Sequence, residues 1–163
     1  MQHFTRRETV ILTRTSHARL AYLAKTGVVV PSPTRPPAAP QVHYTWEQIL
    51  ELRAIRDLRR QVSLQTIRKI LAFLEGTGCD RALHDKHLII ANGEVSWVQV
   101  RGNTEPQVVR VAAKADCHVG QLQLMTLPSL RELTHEVWDT AQCSKVIDFE
   151  SFRRRVVPFR PRG

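Results

Sequence analysis

No stretch of this 163-residue sequence approaches the roughly 18 continuous apolar residues that a membrane span requires, so no membrane partner is expected. Met1 opens a polar, cationic segment with no apolar run behind it, which predicts the absence of a signal peptide and a cytoplasmic location. Cysteine is scarce and scattered. Cys79, Cys117 and Cys143 form no C-x-x-C pair, so neither a metal site nor a disulfide framework is expected. The seven histidines are dispersed as well. His84 and His87, with Asp80 and Asp85 nearby, form one cluster in a loop entering a strand, and a solvated turn accounts for it. A glycine-rich phosphate loop, a nucleophile elbow and a convergent acid–base set are all missing, which argues against an enzyme and against any cofactor.

Acidic residues are in deficit, and unevenly so. The formal net charge is +9. Residues 1–75 carry twelve Lys/Arg against five Asp/Glu, and residues 144–163 carry six against two. Residues 76–143 are slightly acidic, with six against eight. Positive charge gathered at the two ends of a chain is the footprint of a polyanion binder.

What is present is organised around Tyr44 to Glu75, which reads as two helices broken near Gln61. In the second, Leu64, Ile67, Ile70, Leu71 and Leu74 recur at steps of three and four behind Ser63 as N-cap. The first, Trp46 to Arg60, has two apolar rows: Trp46, Leu50, Ala54 and Leu58, and Ile49, Leu52, Ile55 and Leu58. Such a helix packs on two sides. Upstream, Thr5-Arg6-Arg7-Glu8 fits a capping box that opens a short helix through Val10 to Leu12. Thr15 and Ser16 supply a second N-cap. The helix from His17 to Lys25 buries Leu20 and Leu23, and Gly27 takes the left-handed position after its end. Two short helices around a tight turn make a helix-turn-helix, whose second helix can enter a DNA major groove.

From Phe4 to about Glu75 the sequence resembles the winged helix-turn-helix of the MerR-type regulators, most specifically in LAYLAKTGVVVPS and in VSLQTIRKIL. The resemblance implies a wing in which Val28–Val30 pairs with Gln41–His43. Between them runs a proline-rich tip bearing Arg35; a surface loop is the competing reading. It also implies that Ser16, His17, Arg19 and Tyr22 face DNA, with Arg14, Lys25, Arg35 and His43 adding charge on either side. Three departures stand out. Ala21 occupies a position where many members carry arginine. Gln61 replaces the usual glycine, where a left-handed backbone would cost about 1 kcal/mol. Third, the last helix stops at Gly76-Thr77-Gly78 instead of continuing into the family's long dimerisation helix.

Beyond that break the period turns strand-like. HLIIA, VSWVQV and QVVRVA are β-branched runs bounded by Asn92-Gly93 and Gly102-Asn103, and QLQLM alternates as a half-buried strand does. Leu127-Pro128-Ser129 opens a helix with Leu130, Leu133, Val137 and Trp138 on its buried side. This half either dimerises or only packs on the first. The tail, KVIDFESFRRRVVPFRPRG, suits an arm along DNA, a segment docked on another subunit, or a segment folding on a partner protein.

The expected architecture is therefore α+β. A winged helix-turn-helix in residues 1–77 is followed by a small antiparallel β-sheet module with a C-terminal helix and basic tail in residues 78–163. The expected function is that of a bacterial, nucleoid-associated repressor. It would bind double-stranded DNA as a homodimer on a partly palindromic site, without small-molecule sensing. The competing expectation is an antitoxin-like DNA-binding protein whose C-terminal half neutralises a protein encoded by a neighbouring gene.

Overall fold

The computed structural model describes residues 3–33, 42–91, 94–99, 106–112 and 124–156. Among them it is a mixed α+β protein with six helices and two small antiparallel sheets. Its contacts divide into two compact units, residues 1–53 with 134–163, and residues 54–133. Position 77/78 falls inside the second unit, at the turn that closes its long helix.

The first unit begins with β1 (Phe4–Thr5) and α1 (Arg6–Thr13). The capping box forms as expected: Glu8 N–H donates to Thr5 Oγ1 at 3.3 Å, and Thr5 N–H donates to Glu8 Oε2 at 2.9 Å. α1 ends at Arg14, a non-glycine residue in the left-handed region with φ 51°. Arg14 and Thr15 N–H groups turn back onto Ile11 and Val10 carbonyls, each at 3.3 Å. α2 (His17–Lys25) follows at once, capped by Ser16, whose Oγ accepts from Arg19 N–H at 3.3 Å. Leu20 and Leu23 are buried. At its far end Gly27 has φ 69°, and Val28 N–H returns to Leu23 O at 3.0 Å.

That helix exit displaces the expected wing strand. Val28 and Val29 N–H groups are both directed to Leu23 O, so Val28–Val30 does not join a ladder. The pairing strand is instead β2 (Ser32–Pro33), with Ser32 opposite His43 and Pro33 opposite Val42 on β3 (Val42–Tyr44). β1 pairs with the other side of β3, Phe4 opposite Tyr44, giving the order β1-β3-β2. Proline is admitted because β2 is an edge strand. The proline-rich tip and Arg35 lie outside the described residues.

α3 (Trp46–Leu58) starts on a capping box of Thr45 and Gln48, and Gln48 Nε2 also donates to Val30 O at 2.7 Å. Both of its apolar rows are buried. So is Arg53, only 1% exposed. Its Nη1 donates to Leu12 O at 3.0 Å, while Nε and Nη2 reach Glu136 Oε2 at 3.0 and 2.7 Å. Glu136 lies on α5 (Leu130–Cys143). Arg53 therefore satisfies a carbonyl at the open end of α1, where a cation is also favoured by the helix dipole.

The basic tail is not an extended arm over its described part. Asp148 caps a further helix, α6 (Phe149–Arg155), accepting from Ser151 N–H at 3.2 Å. Phe152 is fully buried, with ring centroids 5.9 Å from Phe4, 6.0 Å from Trp46 and 5.3 Å from Trp138. Phe149, half-buried, stacks on Phe152 with ring centroids 6.0 Å apart, and Phe159 lies outside the described residues.

In the second unit, α3 unwinds through Arg60, Gln61 and Val62, whose N–H groups donate to Asp57 and Leu58 carbonyls. Gln61 does not adopt the left-handed conformation expected of it, so no such strain arises there. Ser63 caps α4 (Leu64–Gly76), which buries Ile67, Ile70, Leu71 and Leu74 and closes at Gly78, φ 72°. Next come β4 (His87–Ala91), β5 (Glu94–Gln99), β6 (Gln107–Ala112) and β7 (Leu124–Thr126). They form an antiparallel sheet of order β6-β5-β4-β7. α4 packs against β6. Leu88, Ile90 and Val95 point to the buried side. The turn residues Asn92-Gly93 and Gly102-Asn103 lie outside the described residues.

Candidate nucleic-acid interface

Six of the eight expected site residues stand on one short stretch of the first unit. Arg14 is exposed at the left-handed turn. Ser16, His17, Arg19 and Lys25 are exposed on and before α2, and Tyr22 is 50% exposed. A helix whose leucines go inward and whose Arg, His, Tyr and Lys go outward offers a polar, cationic face about 13 Å long over nine residues. His43 is half-buried on β3, its ring 5.9 Å from that of His3. Arg35, the eighth, lies outside the described residues.

The start of α2 is held from α1: Arg6 Nη2 donates to His17 O at 3.1 Å. Arg6 also lies close enough to Tyr44 to act on its phenol. Burial pushes the Tyr44 pKa up, and the Arg6 charge partly opposes this.

Residues 1–46 contain six Lys/Arg and a single carboxylate, Glu8. That carboxylate is taken up by α6. Arg155 Nη2 bonds Glu8 Oε1 at 2.5 Å and Nη1 bonds Oε2 at 3.1 Å, while Nη1 also donates to His3 O at 3.1 Å. The Arg155 guanidinium sits 4.7 Å from the Phe4 ring centroid. Burial alone would raise the Glu8 pKa. The bonds from Arg155 and from the Thr5 backbone and hydroxyl outweigh it and hold the group below its ordinary value.

The sequence places Arg153, Arg154 and Arg155 in a basic tail, but the helix α6 that carries them was not expected. The signal was there: Asp148 as a cap, Phe149 and Phe152 three apart, and three arginines in the last turn, where the helix dipole favours cations.

Among the described residues no group of three or more His, Cys, Asp or Glu could hold a metal ion. Asp85 pairs with Lys86 at 2.6 Å, and Asp80 accepts from Ala82 N–H at 3.2 Å. Cys79 and Cys143 are free thiols, and Cys117 lies outside the described residues. Among the described residues no helix is long and apolar enough to cross a membrane. Compared with models of known protein families, the chain matches none, and a search of curated proteins also finds no match.

Proposed function

We propose that this chain is a sequence-specific, double-stranded-DNA-binding transcriptional repressor that acts as a homodimer on a partly palindromic site, without small-molecule sensing. α1 and α2 would serve as its helix-turn-helix and the β1-β3-β2 sheet as the base of its wing. The observation that carries the reading is the outward face of α2: Ser16, His17, Arg19, Tyr22 and Lys25 exposed, Leu20 and Leu23 buried, in a stretch whose one carboxylate is neutralised. An α-helix fits a major groove about 12 Å wide. In this reading Ser16 and the first-turn N–H groups take a phosphate, His17 and Arg19 reach base edges, and Tyr22 positions a second phosphate. Arg14, Lys25, Arg35 and His43 add charge to either side.

A partly palindromic site needs two copies of the reader. The second unit is where a second copy would join. β6 is an edge strand of its sheet, and Val108 on it is 64% exposed. Footprinting the purified protein on the DNA upstream of its own coding sequence tests the reading. Protection of two half-sites about one helical turn apart is the expected result, and uniform, salt-sensitive coating of the duplex would contradict it.

A further inference from the structure

α6 and the proposed reading helix are both tied to the first turn of α1. In that turn, Arg6 donates to His17 O at the start of α2, and Glu8 receives both prongs of Arg155 from α6. A second route runs through β1. Arg155 donates to His3 O, and the His3 ring lies 5.9 Å from His43, itself a candidate contact. α6 is fixed in this position by Phe152, fully buried against Phe4, Trp46 and Trp138. The two arginines before Arg155 have a different environment. Arg153 and Arg154 are exposed, and Arg153 lies 3.7 Å from Glu150, both side chains 62% exposed.

We propose that α6 is a phosphate-contacting element in which Arg153 and Arg154, on a helix anchored to α1 by Phe152 and the Arg155–Glu8 pair, engage the DNA backbone flanking each half-site. This rests on the reading of α2 as the DNA-facing helix. The division of labour within the helix follows from its chemistry. Arg155 removes the single negative charge of residues 1–46, which would otherwise repel phosphate, while its neighbours remain at the surface. Contacts of this kind add affinity and fix register but carry no base information.

The test is the salt dependence of binding to the footprinted duplex by wild type and by Arg153→Ala/Arg154→Ala. Both substitutions are on the surface and leave Phe152 and Arg155 in place. Each phosphate contact contributes about −0.9 to the slope of log affinity against log salt, so the double variant should flatten it by roughly 1.8 with base preference unchanged. Arg68→Ala/Lys69→Ala, exposed on α4, makes the same change in net charge and should leave the slope within about half a contact of wild type. An unaltered slope in the α6 variant, or an equal flattening in the α4 control, overturns the assignment. If wild type binds no duplex specifically, the reading of α2 fails and this proposal with it. If wild type binds and only the α6 slope is unmoved, the proposal fails alone.

Discussion

Arg53 and Leu12 are joined by a hydrogen bond that fixes the turn carrying the candidate interface: the buried guanidinium donates Nη1 to the Leu12 carbonyl at 3.0 Å. The same side chain grips Glu136 with its other edge, so one residue of α3 secures the end of α1 and a point on α5.

Replacing Arg53 with methionine keeps much of the volume and removes the donors. Leu12 O is then a helix-end carbonyl without this partner, while Glu136, 42% exposed, can hydrate. The expected cost is about 1–3 kcal/mol in urea unfolding, the penalty for leaving a buried acceptor without its donor. A loss below about 0.5 kcal/mol would show that the turn holds without it.

Arg14 separates stability from binding. Its left-handed backbone, φ 51°, is disfavoured for any residue with a Cβ. Arg14→Gly should raise stability by up to about 1 kcal/mol and, having lost a cation beside α2, weaken DNA binding. A variant that is both less stable and equally tight in binding would contradict both assignments.

Much of this was legible in the sequence. The Thr5–Glu8 box, the Ser16 and Ser63 caps, Gly27 and the runs of β4, β5 and β6 are local patterns, and they appear where the residues place them. What escaped notice depends on partners distant in sequence. Arg53 interrupts two apolar rows as a surface residue would, and only Leu12 and Glu136 make its burial tolerable. Phe152 asks for burial as an aromatic in the tail, but the rings that bury it, Phe4, Trp46 and Trp138, are distant in sequence. Val28–Val30 has strand propensity, but the end of α2 claims two of its N–H groups. Of the candidate interface, the face of α2 follows from helical spacing, whereas the neutralisation of Glu8 by Arg155 could not be read locally.

The Glu8–Arg155 pair makes stability depend on pH. The Glu8 pKa is lowered in the folded protein from 4.5, so its contribution is fully present above that value and lost as pH falls through the folded one. Below pH 4.5, wild type should lose stability more steeply than Glu8→Gln, and the gap between them should close. Parallel pH profiles from urea melts would mean that the pair contributes nothing to folding.

For the proposed dimer, Val108→Arg places a charge on the exposed edge strand β6. Sedimentation at micromolar concentration should show a dimer for wild type and a monomer for the variant, with operator affinity reduced along with it. An unchanged dimer would move the interface elsewhere.

The reading of α2 as a base-reading helix is tested most directly by selecting binding sites from randomised duplexes with wild type, Arg19→Ala and Lys25→Ala. Wild type should enrich a partly palindromic sequence. Arg19→Ala should bind it about 1–3 kcal/mol more weakly and lose preference at one position in each half-site, while Lys25→Ala should weaken all sequences alike. Recovery of the same base preferences by Arg19→Ala, or no enriched sequence with wild type, would contradict the account.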